Sequence, residues 1–159
     1  MSRSLLRSAA LIGVFLLPST SVAQQRVLDA RTAMQIIDGC TAHARAKNQS
    51  HAIAVYDDGG HPVAILRMDG NSPGVTAFAI QKAEAVAHWH FSTANMAASA
   101  KQTPGFANAP MVVTVAGGIP VFADGRFIGA VGVSGEAEQD DAACAEAGVK
   151  AAGLSSSRR

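Results

Sequence analysis

Aromatic residues are scarce in this chain, 5% of 159 residues with one Trp and one Tyr, and charged residues reach only 16%. A core built largely from Ala, Gly and Val is thin, so association between copies is an expected supplement to stability. Past the N-terminal segment, no run is both apolar and charge-free over the roughly 20 residues needed to span a bilayer. Lys and Arg are scattered, adjacent only at Arg158-Arg159, and the net charge is only +1. Binding a phosphate backbone takes a concentrated basic face, so nucleic acid is not an expected partner. Cys-x-x-Cys and His-Glu-x-x-His spacings are missing, which argues against the common zinc sites.

What is present begins with a targeting signal. Arg3 and Arg7 precede an apolar core from Ala9 to Leu17, and Ser21-Val22-Ala23 supplies small residues for cleavage. Residues 1–23 therefore read as a signal peptide, and the mature chain is expected to be periplasmic or secreted. Without Arg3 and Arg7, eleven basic residues face twelve acidic ones, a net charge of −1. An oxidising destination permits Cys40 and Cys144 to pair, but two separate buried thiols satisfy the pattern equally well. Cys40 shares one helical face with Ala33, Ile36, Ile37 and Ala44, whereas the face of Cys144 is ambiguous in an Ala-rich helix.

Residues 24–153 read as one domain, followed by a polar tail, 154–159, expected to be disordered. Asp29 caps a helix running to about Lys47. Ala52–Tyr56 and His61–Met68 form a hairpin around Asp57-Asp58-Gly59-Gly60, with Pro62 near a strand start. Ser72-Pro73 opens a helix to about Phe91. Ser92–Ala109 holds a short helix and a loop broken at Pro104-Gly105. Met111–Val115 reads as a third strand. Ile119–Ala123 and Phe127–Ser134 flank an Asp124-Gly125 turn, and Glu138–Ala152 forms the last helix. Consecutive hairpins make the sheet mainly antiparallel, and the fold α+β with helices covering the sheet.

The segment Gly117–Gly135 invites two chemical readings that its context rejects. A nucleophile elbow around Ser134 would need Gly where Glu136 stands, so Ser134 is better read as a helix cap. A dinucleotide fingerprint would open a parallel crossover, whereas this segment is a hairpin. Gly129, Gly132 and Gly135 recur three apart, which leaves room for close packing or for a ligand.

Taken together, Arg67-Met68-Asp69-Gly70, Lys82-Ala83, Gly117-Gly118-Ile119-Pro120, Gly125, Ile128–Gly135, Gln139-Asp140 and Ala147-Gly148 resemble the GlcG/HbpS-like family across nearly the whole mature chain. The resemblance implies a profilin-like antiparallel five-stranded sheet with helices on both faces, and stable homo-oligomers. It also implies haem as the cofactor, since characterised members include extracellular haem-binding proteins and a haem-binding domain attached to a cobalamin adenosyltransferase. Other members belong to glycolate-use or aromatic-degradation contexts, so a small-molecule enzyme or carrier for a 2-hydroxy acid or aromatic carboxylate is the alternative, and an assembly-only protein a third.

Haem needs an apolar slot, an axial ligand and cations for its propionates. His88 and His90 cannot grip one metal, because residues two apart on a helix point about 200° apart. His88 shares a polar face with Gln81 and Glu84. His90 follows Ala79, Ala83 and Val86, small side chains that admit a flat ring, and is the axial-ligand candidate. His51 and His61 lie near strand ends and His43 lies in the first helix. Arg67, Met68, Asp69, Gly70, Lys82, Gly117 and Gly118 form the candidate ligand-binding set. In it Asp69 and Lys82 are expected to meet as an ion pair, either a purely structural one or part of a pocket in which Lys82 and Arg67 receive carboxylates or propionates while Gly117 and Gly118 offer backbone amides.

Overall fold

The computed structural model describes residues 27–158. The expected signal peptide, 1–23, lies outside the described residues. Asp29 accepts a hydrogen bond from the Thr32 amide at 2.8 Å and so caps α1, Ala30–Ala46. The expected hairpin follows as β1, Ala52–Asp57, and β2, Pro62–Arg67. Pro73 at the first turn opens α2, Pro73–Trp89, and α3 spans Thr93–Gln102 before a 3-10 turn at Pro104–Asn108. Strands β3, Gly118–Ala123, and β4, Arg126–Ser134, precede α4, Glu138–Ala151.

Among the described residues the sheet has four strands, antiparallel throughout, in the order β2-β1-β4-β3. The strand expected at Met111–Val115 does not form. Met111 adopts φ 58°, and the Trp89 indole donates to the Pro110 carbonyl at 3.1 Å, so the segment turns against the end of α2 instead of extending. The outer edge of β3 is closed elsewhere: Phe122 and Ser155 exchange backbone hydrogen bonds of 2.8 and 3.1 Å. Ser134 is not a helix cap but the last residue of β4, paired with Ala52, and Ala137 holds the cap position of α4.

The two faces of the sheet are built differently. On one, Ile53, Val55, Val121, Val131 and Val133 pack against α1 and α4. Those helices are joined by a disulfide between Cys40 and Cys144, both buried. On the other face the sheet offers Ala52, Ala54, Ala130, Gly118 and Gly132, and α2 lies on that flat platform through Ala79, Ala83 and Val86. Gly118 and Gly132 are register partners, and a methyl group on Gly132 would stand 2.1 Å from the Ala79 carbonyl oxygen. The glycine spacing at these positions therefore serves the approach of a helix, not of a ligand.

The connection from β3 to β4 is the expected turn. Asp124 and Gly125 have φ of 49° and 75°, the double left-handed geometry of the tight hairpin.

Candidate functional site

At the end of the sheet carrying Ser134 and Gly118, the buried polar residues join in one network. Lys82 on α2 is completely buried, and its Nζ donates to Asp141 Oδ2 and to the Val133 carbonyl, each at 2.9 Å. The Phe78 ring, one turn earlier on α2, covers the ammonium with its centroid 4.8 Å away. Asp141 Oδ1 accepts from the Glu136 amide and faces His51 Nδ1, both at 3.1 Å. The hydrogen-bond pattern assigns the proton to His51 Nδ1, leaving Nε2 as a buried atom without a partner among the described residues.

Gly117 completes the enclosure. It has φ 120°, and a Cβ there would lie 2.7 Å from Lys82 Nζ. The network ties α2, α4, the start of β1 and the ends of β3 and β4 together.

Lys82, Gly117 and Gly118 are thus brought together, but Asp69 is not the partner of Lys82. Lys82 lies nine residues past Pro73, about 13 Å along the helix axis at 1.5 Å per residue, whereas Asp69 precedes the helix start. Asp141 and His51 fill the interval. Arg67, Met68, Asp69 and Gly70 form a separate, more exposed corner. There the Arg67 guanidinium donates to the Asn71 carbonyl, the Met68 amide to the His51 carbonyl, and Ser50 Oγ to the Asp69 carbonyl. The two groups of residues are linked through His51, whose carbonyl accepts from Met68, and through Ser50, whose amide donates to Glu136 beside Asp141. A free carboxylate cannot reach Lys82 without displacing Asp141, so the arrangement suits a structural clamp.

Asp141 was missed although a signal exists. It lies three and four residues before Cys144 and Ala145 and seven before Gly148, on the buried stripe of α4. An acid on that stripe must find a buried cation.

His90 lies at the opposite end of α2 and also departs from expectation. Helix α2 stops at Trp89, and His90 takes the left-handed cap position with φ 60°, its amide donating to the Val86 carbonyl at 2.8 Å. This turn lifts the imidazole off the stripe of Ala79, Ala83 and Val86. The ring is exposed and stacks on Phe127 with centroids 4.1 Å apart and planes 21° from parallel. Neither ring nitrogen is hydrogen-bonded among the described residues. Trp89 and Phe91, on either side in the chain, meet Phe106 at 5.2 and 6.3 Å, forming an aromatic cluster. An iron porphyrin fits this surface as far as its needs are an imidazole with a free edge and aromatic contact; the expected propionate role of Lys82 does not fit.

Another ionisable group stands on the α2 face. The Tyr56 hydroxyl donates to Glu84 Oε1 at 3.2 Å, and burial, reinforced by the Glu84 carboxylate, pushes its pKa up to about 12.

The layers define a small α+β domain with an antiparallel sheet between two helix layers. The chain belongs to the HbpS-like family, described as haem degrading protein HbpS-like, whose model matches residues 28–150. Protein GlcG of Escherichia coli K12 is 37% identical over 109 residues, covering 68% of this chain and 81% of GlcG. A crystal structure of a Streptomyces reticuli HbpS double mutant matches with a TM-score of 0.73 at 25% identity, over 89% of this chain and 97% of that one. A crystal structure of a PduOC–haem complex shares the fold, with a TM-score of 0.75 at 19% identity, over 83% of this chain and 99% of that one.

Proposed function

We propose that this protein is an exported, homo-oligomeric haem-binding protein that stores, buffers or presents haem, with His90 as its axial ligand. The observation that carries the reading is the exposed imidazole of His90, held by its face on Phe127 with its nitrogens unbonded. The description of the family as haem degrading and the haem complex of PduOC support the choice of ligand. Bound haem supplies a redox-active iron; the chain's part is to ligate it through His90 and to offer apolar contact from the Trp89, Phe91 and Phe106 cluster. The Cys40–Cys144 disulfide supports an oxidising destination. Exposed Met34, Ile65 and Met111 support association between copies.

Haemin titration of the purified protein tests this reading. Saturable binding with a Soret shift is expected, and its loss or displacement in His90→Ala. A parent protein without saturable binding would remove the haem reading, and an unaltered spectrum and affinity in His90→Ala would remove His90 as the ligand.

A further inference from the structure

The row of rings that begins at His90 continues to a cation. Phe127, under His90, meets Phe122 edge-on with centroids 5.9 Å apart, and the guanidinium carbon of Arg158 lies over the Phe122 ring, 5.9 Å from its centroid. Phe122 and Phe127 are largely buried, so His90 and Arg158 each cover one ring of the same aromatic pair.

Arg158 owes this position to local hydrogen bonds. Ser155 is pinned to Phe122 by the paired backbone bonds at the β3 edge. Its Oγ accepts from the Ser157 amide at 3.2 Å and donates to the Ser157 carbonyl at 2.8 Å, which fixes the chain one residue before Arg158. The serine run serves as a mount for the guanidinium.

Both groups present edges. A stacked imidazole keeps its in-plane nitrogens available, and a guanidinium resting on an aromatic face keeps its N–H fork available for a carboxylate. Arg158 is exposed and has no carboxylate partner among the described residues. A metal-seeking edge and a carboxylate-seeking edge on one aromatic pair match a ligand that carries a metal in a flat apolar frame and a carboxylate at its rim.

We infer that Arg158, positioned by the Ser155–Phe122 bridge, receives a propionate of haem ligated at His90, so that the C-terminal segment selects the free acid form of the porphyrin. The inference rests on the haem reading above and adds a carboxylate-recognising residue to it.

The test compares haemin with haemin dimethyl ester, whose propionates carry no charge, by absorbance titration of the parent, Arg158→Ala and Arg158→Lys. The parent is expected to bind haemin more tightly than the ester. Arg158→Ala should weaken haemin about tenfold, equivalent to about 1.4 kcal/mol, with the Soret position unchanged and ester affinity unaltered. Arg158→Lys should recover part of the loss, because the charge returns without the fork. Parent-like haemin affinity in Arg158→Ala would overturn the assignment and leave haem binding intact, as would an equal loss for haemin and ester. Absence of saturable haemin binding in the parent would overturn the assignment together with the reading it rests on.

Discussion

Lys82 Nζ and Asp141 Oδ2 lie 2.9 Å apart, with Lys82 wholly buried and Asp141 nearly so. The Val133 carbonyl accepts a second bond from Lys82, and the Glu136 amide and His51 face the other oxygen of Asp141. Such a pair costs much more to break than to replace, because removing one partner leaves a charge in a dry interior. Lys82→Ala or Asp141→Ala should destabilise the protein by about 3–5 kcal/mol. The double replacement Lys82→Met with Asp141→Leu should recover most of that loss. Urea midpoints of the four proteins check this; single variants as stable as the parent would deny the clamp.

The disulfide closes a sequence separation of 104 residues and crosses from α1 to α4. A loop of that size is worth up to about 4.7 kcal/mol through the unfolded chain in the entropic account, with about 2–4 kcal/mol typical of measured bridges. Cys40→Ala combined with Cys144→Ala is expected to lose stability in that typical range. Thiol titration of the denatured, unreduced parent should find no free thiol, and two free thiols would contradict the bridge.

Alkaline pH should expose the Tyr56–Glu84 contact. The folded protein holds the Tyr56 proton up to about pH 12, against a value of 10.0 for an unperturbed tyrosine. The unfolded chain therefore releases that proton first. The contribution is complete below pH 10 and declines as pH rises from 10 towards 12. Tyr56→Phe should flatten this limb relative to the parent in unfolding midpoints measured from pH 8 to 11.5. Identical slopes for the two proteins would show that Tyr56 does not titrate across the transition.

Much of the fold was legible because its signals are local. The apolar period of α1 with its Asp29 cap, Pro73 at the head of α2 and the Asp124-Gly125 turn depend on neighbours a few residues away. The segment at Met111–Val115 misled for the opposite reason. A β-branched apolar run is compatible with a strand, but Met111 in the left-handed region and the Trp89 bond to the Pro110 carbonyl begin this run in a turn.

The candidate site was legible only in pieces. Lys82, Gly117 and Gly118 lie side by side, while Asp141 occupies the place expected of Asp69. The α2 cap at His90 decided where that imidazole faces, since one left-handed residue redirects a side chain without changing the hydrophobic pattern before it.

The sequence by itself determined the resemblance to the family, carried by its motifs in order, and most of the order of helices and hairpins, because caps, turns and apolar periods act over short range. Only the tertiary structure decided that Cys40 meets Cys144, that Lys82 answers Asp141, and that His90 and Arg158 cover one aromatic pair. Each of those depends on helices and strands distant in the chain converging, and a buried charge or an exposed edge takes its partner from whatever that convergence brings within reach.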